Sequence, residues 1–175
     1  MDCNGYRFEV EYFENGIVDK KNIKIDLFSD EAEKVVECFL NPKIVMDGDY
    51  EKDERKGYKC KNNRWDRNCP KNQRKIKKKL SSTQIRKFYE EVLNLKQKLD
   101  NGEDFRKILP YFKMLKAKAN VAYQRDVINT NFKTFIEENV DYVTKGNLEE
   151  MKKKFKVFCT FFEAVVAYAK GRIKD

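Results

Sequence analysis

The side chains best able to do chemistry in this 175-residue chain are crowded into one stretch. Asp47, Asp49, Glu51, Asp53 and Glu54 bring carboxylates close together, a set that can hold Mg²⁺ for phosphoryl chemistry. Their spacing is not that of a diagnostic metal loop. Lys52 and Arg55 lie among them, so solvated charge is the simpler account. The chain contains no histidine, which removes nucleophile–His–acid triads and imidazole acid–base catalysis. Its seven glycines form neither GxGxxG nor GxxxxGK[ST], the loops that cradle phosphates. Cys3, Cys38, Cys60, Cys69 and Cys159 are odd in number and scattered, a pattern of reduced thiols rather than of a secreted disulfide framework. Only Cys60 and Cys69 lie near each other, and their gap fits no common zinc spacing. The expectation is a chain with no catalytic residues, metal or cofactor.

Binding chemistry is better represented. From Lys52 to Lys79 there are thirteen Lys or Arg against three acids, so one segment supplies the whole formal charge of +9. A field focused in this way attracts a polyanion, and neutralising phosphates releases counterions, which makes nucleic acid the leading partner. The field is densest at Arg74, Lys75, Lys77, Lys78 and Lys79. Trp65 and Tyr58 sit among Lys59, Lys61, Arg64 and Arg67, the interleaving of rings and cations that stacks bases while holding phosphates. Two bland readings stand beside these. Trp65 can instead pin the loop by burying its ring, and a charge run can be solvated linker.

The elements that must carry these residues follow from periodicity. Tyr6, Phe8, Val10 and Tyr12 alternate with polar residues, as do Ile23, Ile25 and Leu27, with Asn15-Gly16 between. This predicts an antiparallel β-hairpin. A helix should cover it, from Ser29 as N-cap through Ala32, Val35, Val36, Phe39 and Leu40 to the Asn41-Pro42 stop. Residues 47–80 lack sustained periodicity and read as linker. From Ser81 the pattern is helical: Ser81 and Gln84 suit a capping box before Ile85, Phe88, Val92, Leu95 and Leu99. A second helix is expected over Glu103–Arg125, kinked or divided by Pro110. A short third contains Phe132, Phe135, Ile136 and Val140, and a last runs from Asn147 to Gly171. The last is apolar over more than one face, which suits either the centre of a bundle or self-association through it. The fold class is thus mainly α, a bundle of about four to five helices. The expected organisation is a β-hairpin and helix module over 1–46, a basic linker over 47–80 and the bundle over 81–175. No apolar run reaches the roughly 18 residues of a membrane span, and MDCNGYRFEV lacks the order of a signal peptide, so no membrane association and a cytoplasmic location are expected.

Within the helical region, LSSTQIRKFYEEVLNLKQKL (Leu80–Leu99), LPYFKMLKAKANVAYQR (Leu109–Arg125), FKTFIEENV and FKVFCTFFEAVVAYAK (Phe155–Lys170) occur in that order. Together they resemble the small subunit of the type III-A, or Csm, CRISPR interference complex, over roughly residues 75–172. The resemblance implies a helical bundle without enzymatic activity, stacked in copies beside the other subunits of the complex and lining the channel that holds the guide RNA–target RNA duplex. It further implies RNA contact at the basic positions Arg86, Lys113, Lys116, Lys118 and Arg125. Residues 1–50 have no counterpart in this resemblance. The alternatives are a free-standing RNA- or DNA-binding helical module, and a metal-dependent nuclease built on the acids of 47–54.

Overall fold

A computed structural model describes residues 10–40 and 80–173 in full and, between them, the backbone of 51–53, 57–59 and 65–66. The fold is mainly α. Helix α1 spans Asp30–Leu40, α2 Ser82–Asp100, α3 Phe105–Gln124, α4 Thr130–Val143 and α5 Leu148–Ala169. The intervening stretch adds three short strands, β1 (Glu51–Asp53), β2 (Gly57–Lys59) and β3 (Trp65–Asp66), paired antiparallel in that order.

The helix ends obey local chemistry. Ser81 Oγ accepts from the Gln84 amide at 3.2 Å, opening α2. Asn147 and Glu150 form a complete reciprocal capping box at the start of α5, which satisfies two donors left without partners by the first turn. Gly102 and Gly171 take positive φ just past α2 and α5, a conformation that glycine adopts without steric cost. Ser29 precedes α1, but its hydroxyl turns back to the Asp26 carbonyl. Pro110 does not divide α3. Buried Ile108, Phe112 and Leu115 hold both sides of it against the core, offsetting the roughly 3 kcal/mol an internal proline costs a helix.

Among the described residues the N-terminal segment does not form the expected hairpin. Residues 6–9 lie outside the described residues. Beyond them the chain makes 3₁₀ turns over Glu14–Gly16, Lys20–Asn22 and Ile25–Phe28, with one isolated bridge between Phe13 and Ile23. The reason is visible in the burial. Tyr12 and Phe13 are consecutive yet both buried, and Ile25 is 92% exposed, whereas a strand must point neighbours to opposite faces. The turn signal itself holds, since Asn15 and Gly16 both have positive φ.

The N-terminal segment is instead laid onto α5. The buried Tyr12 hydroxyl donates to Asn139 Oδ1, and the Asn139 amide donates to the Phe135 carbonyl at 2.7 Å. The Tyr12 ring packs edge-on to Tyr142 at 4.7 Å and against Phe161 at 5.9 Å. On other faces of α5, Phe155 meets Phe105 and Phe112, and Phe162 meets Tyr89, Phe132 and Phe135. Every helix of the set packs on α5. The apolar width of α5 is therefore used inside one chain, as the central helix, with a continuous core from Tyr12 to Ile173.

Cys159 is a free, buried thiol, but Cys38 is disulfide-bonded, against the expectation of reduced thiols. Its partner lies outside the described residues. Pairing follows proximity in the fold, which scattered spacing does not reveal.

Candidate nucleic-acid interface

The core-facing side of α3 is fixed by Phe105, Ile108, Phe112, Leu115 and Ala119. Steps of three and four residues then bring Lys107, Tyr111, Met114, Lys118, Val121 and Arg125 onto the outward side. All six are exposed, with Tyr111 at 58%, Met114 at 51% and Val121 at 49%. Cations and apolar groups thus alternate along one helix face. Lys98 of α2 sits over the Tyr111 ring at 5.6 Å, adding a further cation to the rim. Arg and Lys reach phosphate oxygens without reading bases, and an exposed ring between them offers a stacking surface.

Among the described residues, the predicted basic side chains are not gathered into one constellation. Lys118 and Arg125 share the outer stripe. Lys118 also pairs with Glu91 of α2. Lys116 lies towards α4, where its ammonium meets both Asp141 carboxylate oxygens at 2.7 Å. Lys113 is exposed one turn before it. Arg86 is exposed on α2 but five positions from Glu91, more than a third of a turn away from the edge that meets α3. Arg74, Lys75, Lys77, Lys78 and Lys79 fall outside the described residues, as do Asp47, Asp49 and Glu54.

Lys107, Tyr111, Met114 and Val121 of this stripe are not among the residues expected from the sequence. Their regular spacing was available, but the stripe mixes charge with hydrophobicity, and a search for either property alone passes over it. Among the described residues no group of His, Cys, Asp and Glu is arranged to hold a metal ion, and no helix is long and apolar enough to cross a membrane.

A family model described as Csm2 Type III-A matches residues 63–174. The chain belongs to the Csm2 family. It is thus a small subunit of the type III-A CRISPR complex, in agreement with the resemblance carried by its helices. The Csm2 match begins earlier than that resemblance, at residue 63, so it takes in Trp65 and all of the Arg74–Lys79 tract. Residues 1–62 lie ahead of the match, yet Tyr12 to Leu40 pack directly on the Csm2-type helices α4 and α5. No curated protein and no solved structure matches the chain.

Proposed function

We propose that this Csm2 chain is a non-catalytic, RNA-binding small subunit of a type III-A interference ribonucleoprotein. In this reading it works in the cytoplasm with the other subunits of the effector complex. It contacts the guide RNA–target RNA duplex, or single-stranded nucleic acid, through basic side chains. The observation that carries the reading is the family match, which encloses the densest basic tract of the chain. The outer face of α3 supports it with Lys107, Lys118 and Arg125 spaced along one exposed stripe.

Such contacts are sequence-blind. Ammonium and guanidinium groups meet backbone phosphates, and guide pairing selects the target. The test is RNA binding across a salt series, comparing the intact chain with one whose Arg74, Lys75, Lys77, Lys78 and Lys79 are made neutral. The expected result is weaker binding with a shallower salt slope, by roughly one unit per lost phosphate contact. Absence of RNA binding by the intact chain, both alone and within its reconstituted complex, overturns the proposal. Cleavage of labelled RNA with Mg²⁺ or Mn²⁺, abolished by Asp47→Ala and Asp49→Ala, overturns its non-catalytic part.

A further inference from the structure

A cleft of about 520 Å³ opens between the N-terminal segment, the end of α2 and the first half of α5. Among the described residues its lining shares none with the α3 stripe. Its volume lies within the roughly 300–1,000 Å³ usual for small-ligand sites. The floor is apolar, made by Phe13, Ile23, Phe28 and Val157. Phe13 and Val157 belong to the buried core, while Phe28 is only half-buried. Phe28 packs against the core, makes no ring contact with another aromatic residue among the described residues, and keeps part of its surface exposed where it lines the cleft.

The rim has the opposite character. Lys20, Lys152, Lys153 and Lys156 line it and have no ion pair among the described residues. The fifth rim lysine, Lys96, is held by Asp100 at 2.5 Å. Glu149 is the other acid of the wall. Four ammonium groups without an ion pair, of which Lys156 is also attracted to Asp100, surround an aromatic floor and leave an electrostatic demand for an anion and an apolar demand for a flat group. A nucleoside phosphate meets both, with its base on a ring and its phosphate among lysines.

We propose that this cleft binds one unstacked nucleotide, its base against Phe28 and its phosphate held by Lys152, Lys153 and Lys156, with Lys20 closing from the N-terminal segment. The nucleotide is either free or part of a single strand. The proposal goes beyond the RNA-binding role, because the α3 stripe contributes no residue to this cleft.

The test uses the full chain labelled at Ile and Val methyl groups, with Ile23 and Val157 reporting from the floor. The probes are adenosine monophosphate, a short single-stranded RNA, and an acidic peptide containing leucine. Saturable shifts of both methyls with the mononucleotide support the site and assign it to free nucleotide. Shifts with RNA alone support it and assign the nucleotide to a strand. Phe28→Leu, which keeps apolar bulk and removes the ring, should weaken binding about tenfold. Lys152→Gln, Lys153→Gln and Lys156→Gln together should weaken it further and flatten its salt dependence. Thermal melting verifies that each variant remains folded. The proposal is overturned if neither nucleotide probe moves these methyls, if only the peptide does, or if both variants bind as the parent does. Neutralising Arg74–Lys79 should leave the mononucleotide shifts intact even where it abolishes RNA affinity, so the two proposals fail separately.

Discussion

The side-chain amide of Asn129 donates to the Phe39 carbonyl at 2.9 Å while its oxygen accepts from the Phe132 amide at 2.9 Å. One fully buried residue therefore closes the C-terminal end of α1 and the N-terminal end of α4. Asn131 repeats the first half of this arrangement, donating to the Cys38 carbonyl at 2.6 Å. Carbonyls at a helix end have no partner within the helix, and burying them unmet is costly. Asn129→Ala removes a cap and strands a buried carbonyl. It should destabilise the fold by roughly 2–4 kcal/mol. Urea denaturation measures this, and a loss below 1 kcal/mol would show that water replaces the side chain.

Tyr12→Phe tests how firmly the N-terminal segment is attached. Without the hydroxyl, Asn139 Oδ1 loses its buried donor, which should cost roughly 1–3 kcal/mol. Hydrogen exchange should accelerate first at the amides of 12–27. Uniform acceleration across α2 and α3 would contradict a local anchor.

How much of this was legible beforehand differs between the two halves of the chain. From Ser81 onward, periodicity and caps agree, so α2 and α5 begin at Ser81 and Asn147 as their side chains dictate. Before that, alternation at Val10, Tyr12, Ile23 and Ile25 mimics strands. The actual order is set by a tertiary demand, the uncovered face of α5 at Val157 and Phe161, which takes Tyr12 and Phe13 together. No local pattern records that demand. The site divides similarly. Lys118 and Arg125 could be placed on α3 from spacing, whereas the lysines of the cleft come from segments far apart in sequence and meet only in the fold.

Among the predicted RNA-binding residues the structure imposes a ranking. Lys116 is already paired with Asp141 and Lys118 with Glu91, whereas Arg125 has no ion pair among the described residues. Arg125→Gln should lower the salt slope of RNA binding by roughly one unit, and Lys116→Gln or Lys118→Gln by less. Fluorescence anisotropy across a salt series checks this, and the reverse ranking would move the interface to the α4 side of α3.

Alkaline conditions should unfold the protein in a defined window. Burial pushes the Cys159 thiol up from 9.0 to about 12, and burial likewise raises the Tyr12 phenol well above 10.0. Both groups ionise more readily in the unfolded chain, so their contribution is complete below pH 9 and falls as pH rises towards 12. Cys159→Ala should flatten the loss between pH 9 and 12. At pH 8 the native thiol should resist alkylation, which peptide mass analysis reads directly.

Removal of residues 1–46 should expose Val157 and Phe161 on α5. The intact chain should scatter light as a single copy of 20.9 kDa, and the shortened chain as larger species. A monodisperse shortened monomer would show that α5 closes without this cover.

The attachment of Tyr12 to Asn139 has a consequence for biosynthesis. These residues are separated by 127 positions, and α1 rests on α5, the last helix of the bundle to leave the ribosome. At roughly 5–20 residues per second, the N-terminal segment waits many seconds for its docking surface, with Tyr12, Phe13 and Val35 open to chaperones throughout. Completion of the core therefore waits for α5, and a segment made well before that helix is among the last to find its place.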